Sequence, residues 1–278
     1  MDRLAILKTL AEELNSGELI FPTHLDATLK LKRALDDPDC HLDQATRMIM
    51  NDPLLAARTV ALANSATYNR SGNSITNVKM AVSRLGFRSL RTLVAALIVR
   101  QLNQQVRDPG LQAKARQLWE HSAHVAALAQ VIARHITKVD PDTAMFAGII
   151  HEIGGFYLIS RAEEFPGLLD GSPDIWLAYG ERVIARGVIK LLAIPDPVVA
   201  AVESLWQGIA AIPPISLADT LILANDIAPV VSPLHQMESL QIKQETTLID
   251  FEVEDSTLQE ILNDSEEEIN SLCTALLA

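Results

Sequence analysis

Aromatic side chains are scarce in this sequence, at 4% of 278 residues, so Leu, Ala, Ile and Val must fill its core. That aliphatic, alanine-rich usage favours helices over a β-sandwich or barrel. Cysteine is nearly missing: Cys40 and Cys273 stand near opposite ends in no metal-type spacing, which excludes a disulfide framework and a Cys-based zinc site. Long apolar runs are lacking too. The longest, "TLVAALIVRQL", falls well short of the ~20 residues that cross a bilayer, so no membrane partner is expected. The first residues, "MDRLAILKTLAEELNSGEL", carry charges in a helical pattern unlike that of a signal peptide, which makes a cytoplasmic protein the expectation. No Gly-rich phosphate loop, nucleophile elbow or Walker motif occurs, and no fixed-length repeat.

Positive charge is also short. The formal net charge of −12 argues against a non-specific nucleic-acid binder, which needs a basic surface for phosphate contacts. The imbalance is local. Residues 235–278 hold 11 Asp and Glu against one Lys, so the first 234 residues, with 22 basic and 24 acidic side chains, are nearly neutral. A basic patch on the body is therefore still open, and the acidic tail is read as a separate element.

What is present is helical periodicity in nearly every segment. Leu4, Leu7, Leu10 and Leu14 share one face of a first helix that ends at Gly17. Asp52-Pro53, Asp140-Pro141 and Asp196-Pro197 each read as an Asp cap followed by Pro in the first turn of a helix. "ALANSATYN" ends an alanine-rich helix with Asn64 and Ser65, whose side chains can bond nearby backbone and fix the following loop. Gly86 separates two further helices, and "RDPG" at 107–110 is read as a break and the best domain boundary. The expectation is an all-α protein: residues 1–110 form an N-terminal helical lobe, 111–234 a second helical lobe, and 235–278 an acidic segment with a terminal helix.

Polar residues placed on apolar faces carry the chemistry. Leu118, His121, Val125, Leu128 and Ile132 step by three and four residues, which puts His121 on a buried stripe with His124 at its edge. "FAGIIHEIGGF" sets His151 and Glu152 side by side in an apolar run, so at most one of them is expected to point straight into the same site. Asp219 lies among Leu217, Ala218, Leu221 and Ile222, and a half-buried carboxylate needs a donor or a cation. Two readings are open. His121, His151, Glu152 and Asp219 hold a divalent metal that acidifies water for attack on a phosphate ester, or they are buried polar groups satisfied by one another and by backbone.

Four stretches in order, "IMNDPLLAARTVALANSATYN", "ITNVKMAVSRLGFRSLRTLV", "LWEHSAHVAALAQVIA" and "AMFAGIIHEIGGFYL", resemble the HDOD module, a bacterial signalling relative of the HD-domain metal phosphohydrolases. The resemblance covers roughly residues 18 to 232. It implies an N-terminal helical lobe packed on an HD-like lobe, with His121, the pair His151-Glu152 and Asp219 at the positions of the HD metal ligands. Glu152 departs from the Asp of the HD pair, and its extra methylene moves the carboxylate by about a bond length, against a tolerance of ~0.2 Å in metal–ligand distances. Glu181 and Leu205-Trp206 stand where the cyclic-dinucleotide phosphodiesterase branch has further histidines. The resemblance therefore implies a regulatory module whose surface binds a signalling protein partner, with a degenerate metal site and no catalysis. The alternative is a divalent-metal-dependent phosphohydrolase acting on a nucleotide or phosphate ester. Oligomeric state is not legible.

Arg84, Arg88 and Arg91 form a stripe that could grip a phosphate, a phosphorylated partner or the acidic tail; the structural alternative is an exposed face pairing with local acids. Phe87 and Trp119 are read as packing residues, and Glu266, Glu267 and Glu268 as a solvated helix face.

Overall fold

The computed structural model describes residues 3–16, 26–102, 104, 106–169, 182–234, 252–253 and 256–277. Helices α1 (Arg3–Ser16), α2 (Asp26–Asp36), α3 (Leu42–Met50), α4 (Pro53–Asn64) and α5 (Val78–Leu102) make the N-terminal lobe. Helices α6 (Pro109–Ile132), α7 (Pro141–Ile150), α8 (Ile153–Arg161), α9 (Ala185–Leu191), α10 (Asp196–Leu205) and α11 (Leu217–Asp226) follow as a second helical group. The acidic end holds a two-residue hairpin, β1 (Glu252–Val253) against β2 (Ser256–Thr257), then α12 (Leu258–Asp264) and α13 (Glu266–Leu277). The fold is all-α apart from that hairpin. Readings that fell on residues 17–25, 170–181 and 235–251, including Gly17 as a helix end and Glu181, lie outside the described residues.

Local chemistry explains most boundaries. Asp52 accepts from the Leu55 amide at 3.0 Å and Asp140 from the Thr143 amide at 2.8 Å, so both predicted caps form. The third pair differs. Pro195, in extended conformation, is the cap residue of α10, and Asp196 is its first residue, a charge in the first turn with no side-chain cap bond. The stretch read as a break at 107–110 holds another cap: Asp108 accepts from the Leu111 amide at 2.8 Å and Pro109 opens α6. Gly86 adopts φ 70° and kinks α5. Asn64 bonds both backbone groups of Ile75, at 2.7 and 2.8 Å, and Ser65 Oγ donates to Leu62 O, so these two residues stop α4 and staple the loop that follows.

One apolar core runs through both lobes and into the acidic end, from Leu7 and Leu10 of α1 to Leu272 and Leu276 of α13. Each fully buried Leu or Ile contributes roughly 1.5–3 kcal/mol. Trp119 is part of it, edge-on to Phe156 at 6.2 Å, and Phe87 packs against its border. The stretch Pro141–Arg161 is apolar and long enough to pass for a bilayer span, but 83% of its apolar window is buried inside the protein, where α7 and α8 are core.

Helices α6 and α7 approach closely at Gly148. A Cβ on Gly148 would stand 2.5 Å from Ala126 Cα and 2.7 Å from Ala126 N, so only glycine allows this contact. Where α7 packs on α5, a partly buried polar knot joins them to α6 and to the loop after α4. Asp142 accepts from Tyr68 Oη at 2.6 Å, from Ser89 Oγ at 3.1 Å and from Gln130 Nε2 at 3.2 Å. Burial pushes the Tyr68 hydroxyl well above its ordinary range, with the Asp142 charge acting in the same direction, so the phenol stays a donor.

Candidate metal centre

The predicted stripe on α6 is buried throughout: Leu118, His121, Val125, Leu128 and Ile132 all face the core, and His124 sits at its edge. The polar pair behaves differently from a continuous helix. The chain breaks at a turn between Ile150 and Ile153, with Glu152 at φ −101°, ψ 19°. Adjacent residues on an α-helix diverge by about 100°, and the turn removes that divergence. His151 and Glu152 therefore both point at His121. The three donor sets lie within 4.8 Å of one another. Their exposures are 3% for His121, 2% for His151 and 1% for Glu152.

Each imidazole is oriented by backbone. His121 Nδ1 lies 2.7 Å from Val230 O, and His151 Nδ1 lies 2.7 Å from Gly148 O. A carbonyl can only accept, so both Nδ1 atoms carry the proton and donate. Both Nε2 lone pairs then face inward, 3.1 Å apart. Two lone pairs at that separation repel unless a proton or a cation lies between them. The pattern matches a metal-ligating histidine, whose second ring nitrogen is fixed by a carbonyl. Two nitrogens each ~2.1 Å from one ion stand about 3.0 Å apart at a right angle and about 3.4 Å apart at a tetrahedral one, and the observed 3.1 Å lies between these. The donor set, two imidazoles and a carboxylate, fits a borderline divalent ion. Gly155 keeps the site's roof thin: a Cβ there would meet Glu152 Oε2 at 3.2 Å and Leu234 Cδ1 at 2.4 Å.

Asp219 is not in this cluster. Its Oδ2 accepts from Ser216 Oγ at 2.6 Å, Ser216 N at 2.9 Å and Ile215 N at 3.2 Å, and its Oδ1 accepts from Ala211 N at 2.8 Å. With Ser216 it forms a reciprocal capping box at the start of α11. Burial pushes its carboxyl upward, but these bonds outweigh it and hold the pKa below the ordinary value. The candidate fourth ligand is thus a buckle for the loop before α11.

The arginine stripe is also engaged with the protein's own chain. Arg84 donates to Ala63 O at 3.1 Å and Asn73 O at 3.0 Å, and Arg88 pairs with Asp140 at 2.5 Å. Arg91 donates twice to Leu35 O, at 2.8 and 2.6 Å, closing the C-terminal end of α2. The described part of the acidic tail does not dock here; Glu268 pairs with Arg134 instead. Sequence reasoning did not single out the Gly148 and Val230 carbonyls, which carry no side-chain signal, or the Tyr68–Ser89–Gln130–Asp142 knot. Gln130, a polar residue inside the apolar part of α6, was the available clue to the latter.

Fold and site define an all-α module with a buried cluster of two histidines and a glutamate. The HDOD domain model matches residues 21–169, more than half of the chain, and the chain belongs to the HDOD family. Over its full length it is similar in structure to a presumed metal-dependent phosphohydrolase from Shewanella amazonensis, with a TM-score of 0.68, 19% identity, and 99% of this chain and 100% of that one covered. It is also similar to a presumed signal transduction protein from Marinobacter aquaeolei, with a TM-score of 0.57, 17% identity, and 100% of this chain against 65% of that one covered. A protein of uncharacterized function from Treponema pallidum is 23% identical over 194 residues, 63% of this chain and 35% of that protein, so the matched stretch spans about a third of the relative's length. These structural likenesses establish the fold.

Proposed function

We propose that the chain is a regulatory signalling module that works by binding a protein partner, and that His121, His151 and Glu152 are a remnant HD metal site retained in its core. One observation carries this reading: the three converging donors are 1–3% exposed, while Asp219, at the fourth ligand position, is engaged by its own loop. A substrate ester needs access to the metal and a free coordination path, and a sealed three-donor site offers neither. The similarity to a signal transduction protein agrees with it.

The phosphohydrolase reading is favoured by a different observation, the pair of Nδ1–carbonyl bonds that aim both Nε2 atoms inward. His121, His151 and Glu152 would hold the ion, which when bound supplies Lewis acidity and lowers the pKa of its water. The residues themselves orient the imidazoles, fix their tautomers and exclude bulk solvent.

The test is turnover of a phosphomonoester and a phosphodiester by full-length protein reconstituted with Mn²⁺, Zn²⁺ or Mg²⁺. The expected result is no release above the metal-only background. Release that His151→Ala abolishes would overturn the regulatory reading.

A further inference from the structure

The body's surface along α4 and α6 is covered by the chain's own last helix. Leu272, Cys273, Ala275 and Leu276 of α13 are buried against it. Polar contacts run the length of the helix. Glu268 pairs with Arg134 just past α6, Ser271 Oγ accepts from Ala66 N at 2.9 Å, and Arg100 donates to Leu277 O at 3.3 Å. Cys273 donates to Ala123 O at 3.7 Å and lies 3.4 Å from His124 Nδ1; burial pushes its thiol up to about 12, so it stays protonated.

We propose that this surface is a receptor for an acidic amphipathic helix of a partner protein, and that α13 is its resident competitor. Three features support the assignment. The receptor residues lie inside the family-matched stretch 21–169, whereas the helix that fills it lies outside and is joined through residues 235–251. The resident helix specifies its ligand: an acid facing Arg134, a hydroxyl three residues on at the Ala66 amide, and leucines at the next position and four beyond, the spacing of an amphipathic helix. The fit is also incomplete on the α4 side, where an open cleft of about 460 Å³ lies between Asn64 and Ser65 on one wall and Asn270 and Thr274 on the other, beside the Ser271–Ala66 bond.

A tethered helix acts at an effective concentration on the order of millimolar, so a partner helix meets a receptor that is mostly closed. Competition for this surface would then be the switch. The proposal supplies the partner class for the regulatory reading and rests on it for its biological sense; its test involves no metal and no phosphate ester, so the two fail separately.

The probe is a fluorescein-labelled peptide of residues 256–278, and the readout is anisotropy against full-length protein. Leu272→Glu with Leu276→Glu in the full chain ejects the resident helix and should tighten peptide binding at least tenfold over wild type. Adding Arg134→Glu should abolish that gain, and a peptide carrying Glu268→Arg should recover it. Equal binding by wild type and the opened variant, with native helicity in both, overturns the proposal, as does indifference to Arg134→Glu. If the double variant does not fold, Glu268→Arg alone must give a smaller gain, and none there is equally fatal. A population of doubled mass that the peptide dissociates would assign the surface to a second copy and overturn the partner.

Discussion

Glu152 and Asp219 are both buried carboxylates, at 1% and 6% exposure, and the family resemblance implied a metal-ligand role for both. They meet opposite fates. Asp219 is surrounded by four donors of its own loop and helix start, which satisfy its charge without a cation. Glu152 instead sits with two imidazole nitrogens whose lone pairs face it. The difference lies in local backbone. Residues 211–216 fold back over Asp219 and present amides, whereas the turn at 151–152 brings Glu152 to the two imidazoles. A buried carboxylate needs no cation once amides and a hydroxyl satisfy it.

The largest expected effect is at Asp219. Asp219→Ala strips the acceptor from three amides and a hydroxyl and should cost about 3 kcal/mol or more in denaturant unfolding; a loss below ~1 kcal/mol would mean that the buckle is dispensable. Its charge should show in the pH dependence. Because the folded carboxyl is held below its ordinary value, its stabilisation is complete above about pH 4 and fades as pH falls through the lower folded-state value. Asp219→Asn should therefore lie nearest to wild type at the acid end and diverge from it toward neutrality. Next comes Gly148→Ala, which forces α7 off α6 at a cost of about 1–3 kcal/mol and separates His151 from His121. It should abolish any metal-induced rise in melting temperature, whereas a surviving rise would mean that the site does not depend on that contact. Glu152→Gln keeps the shape and removes the charge, so metal-free stability should change by less than ~2 kcal/mol while the metal response disappears. Smallest is Arg88→Ala, at an exposed ion pair, with less than ~1 kcal/mol expected.

Much of the fold was legible because its signals are local. Asp52 and Asp140 cap their helices through an amide three residues on, and Asn64 reaches only to Ile75. Asp108 shows the limit: the same cap chemistry was masked by a Gly after the Pro, which reads as a breaker. The site was legible residue by residue but not as an assembly. His121 on the buried stripe followed from spacing alone. The turn that lets His151 and Glu152 converge did not, because the apolar pattern continues through it. Asp219 could not be separated from the metal ligands, since its donors belong to a loop whose path the sequence pattern does not reveal. The stripe of Arg84, Arg88 and Arg91 was correctly spaced, yet its partners, Ala63, Asn73, Asp140 and Leu35, are tertiary.

Everything proposed for the core cluster depends on the protonation of two rings. Long-range ¹⁵N–¹H correlation spectra of the histidines, recorded at pH 7 before and after Zn²⁺ is added, test it most directly. The expected spectra show a protonated Nδ1 on both His121 and His151 without metal, with both Nε2 signals, and neither Nδ1 signal, moving once metal is added. A bare Nδ1 on either ring, or Nε2 signals that ignore the metal, would contradict the account.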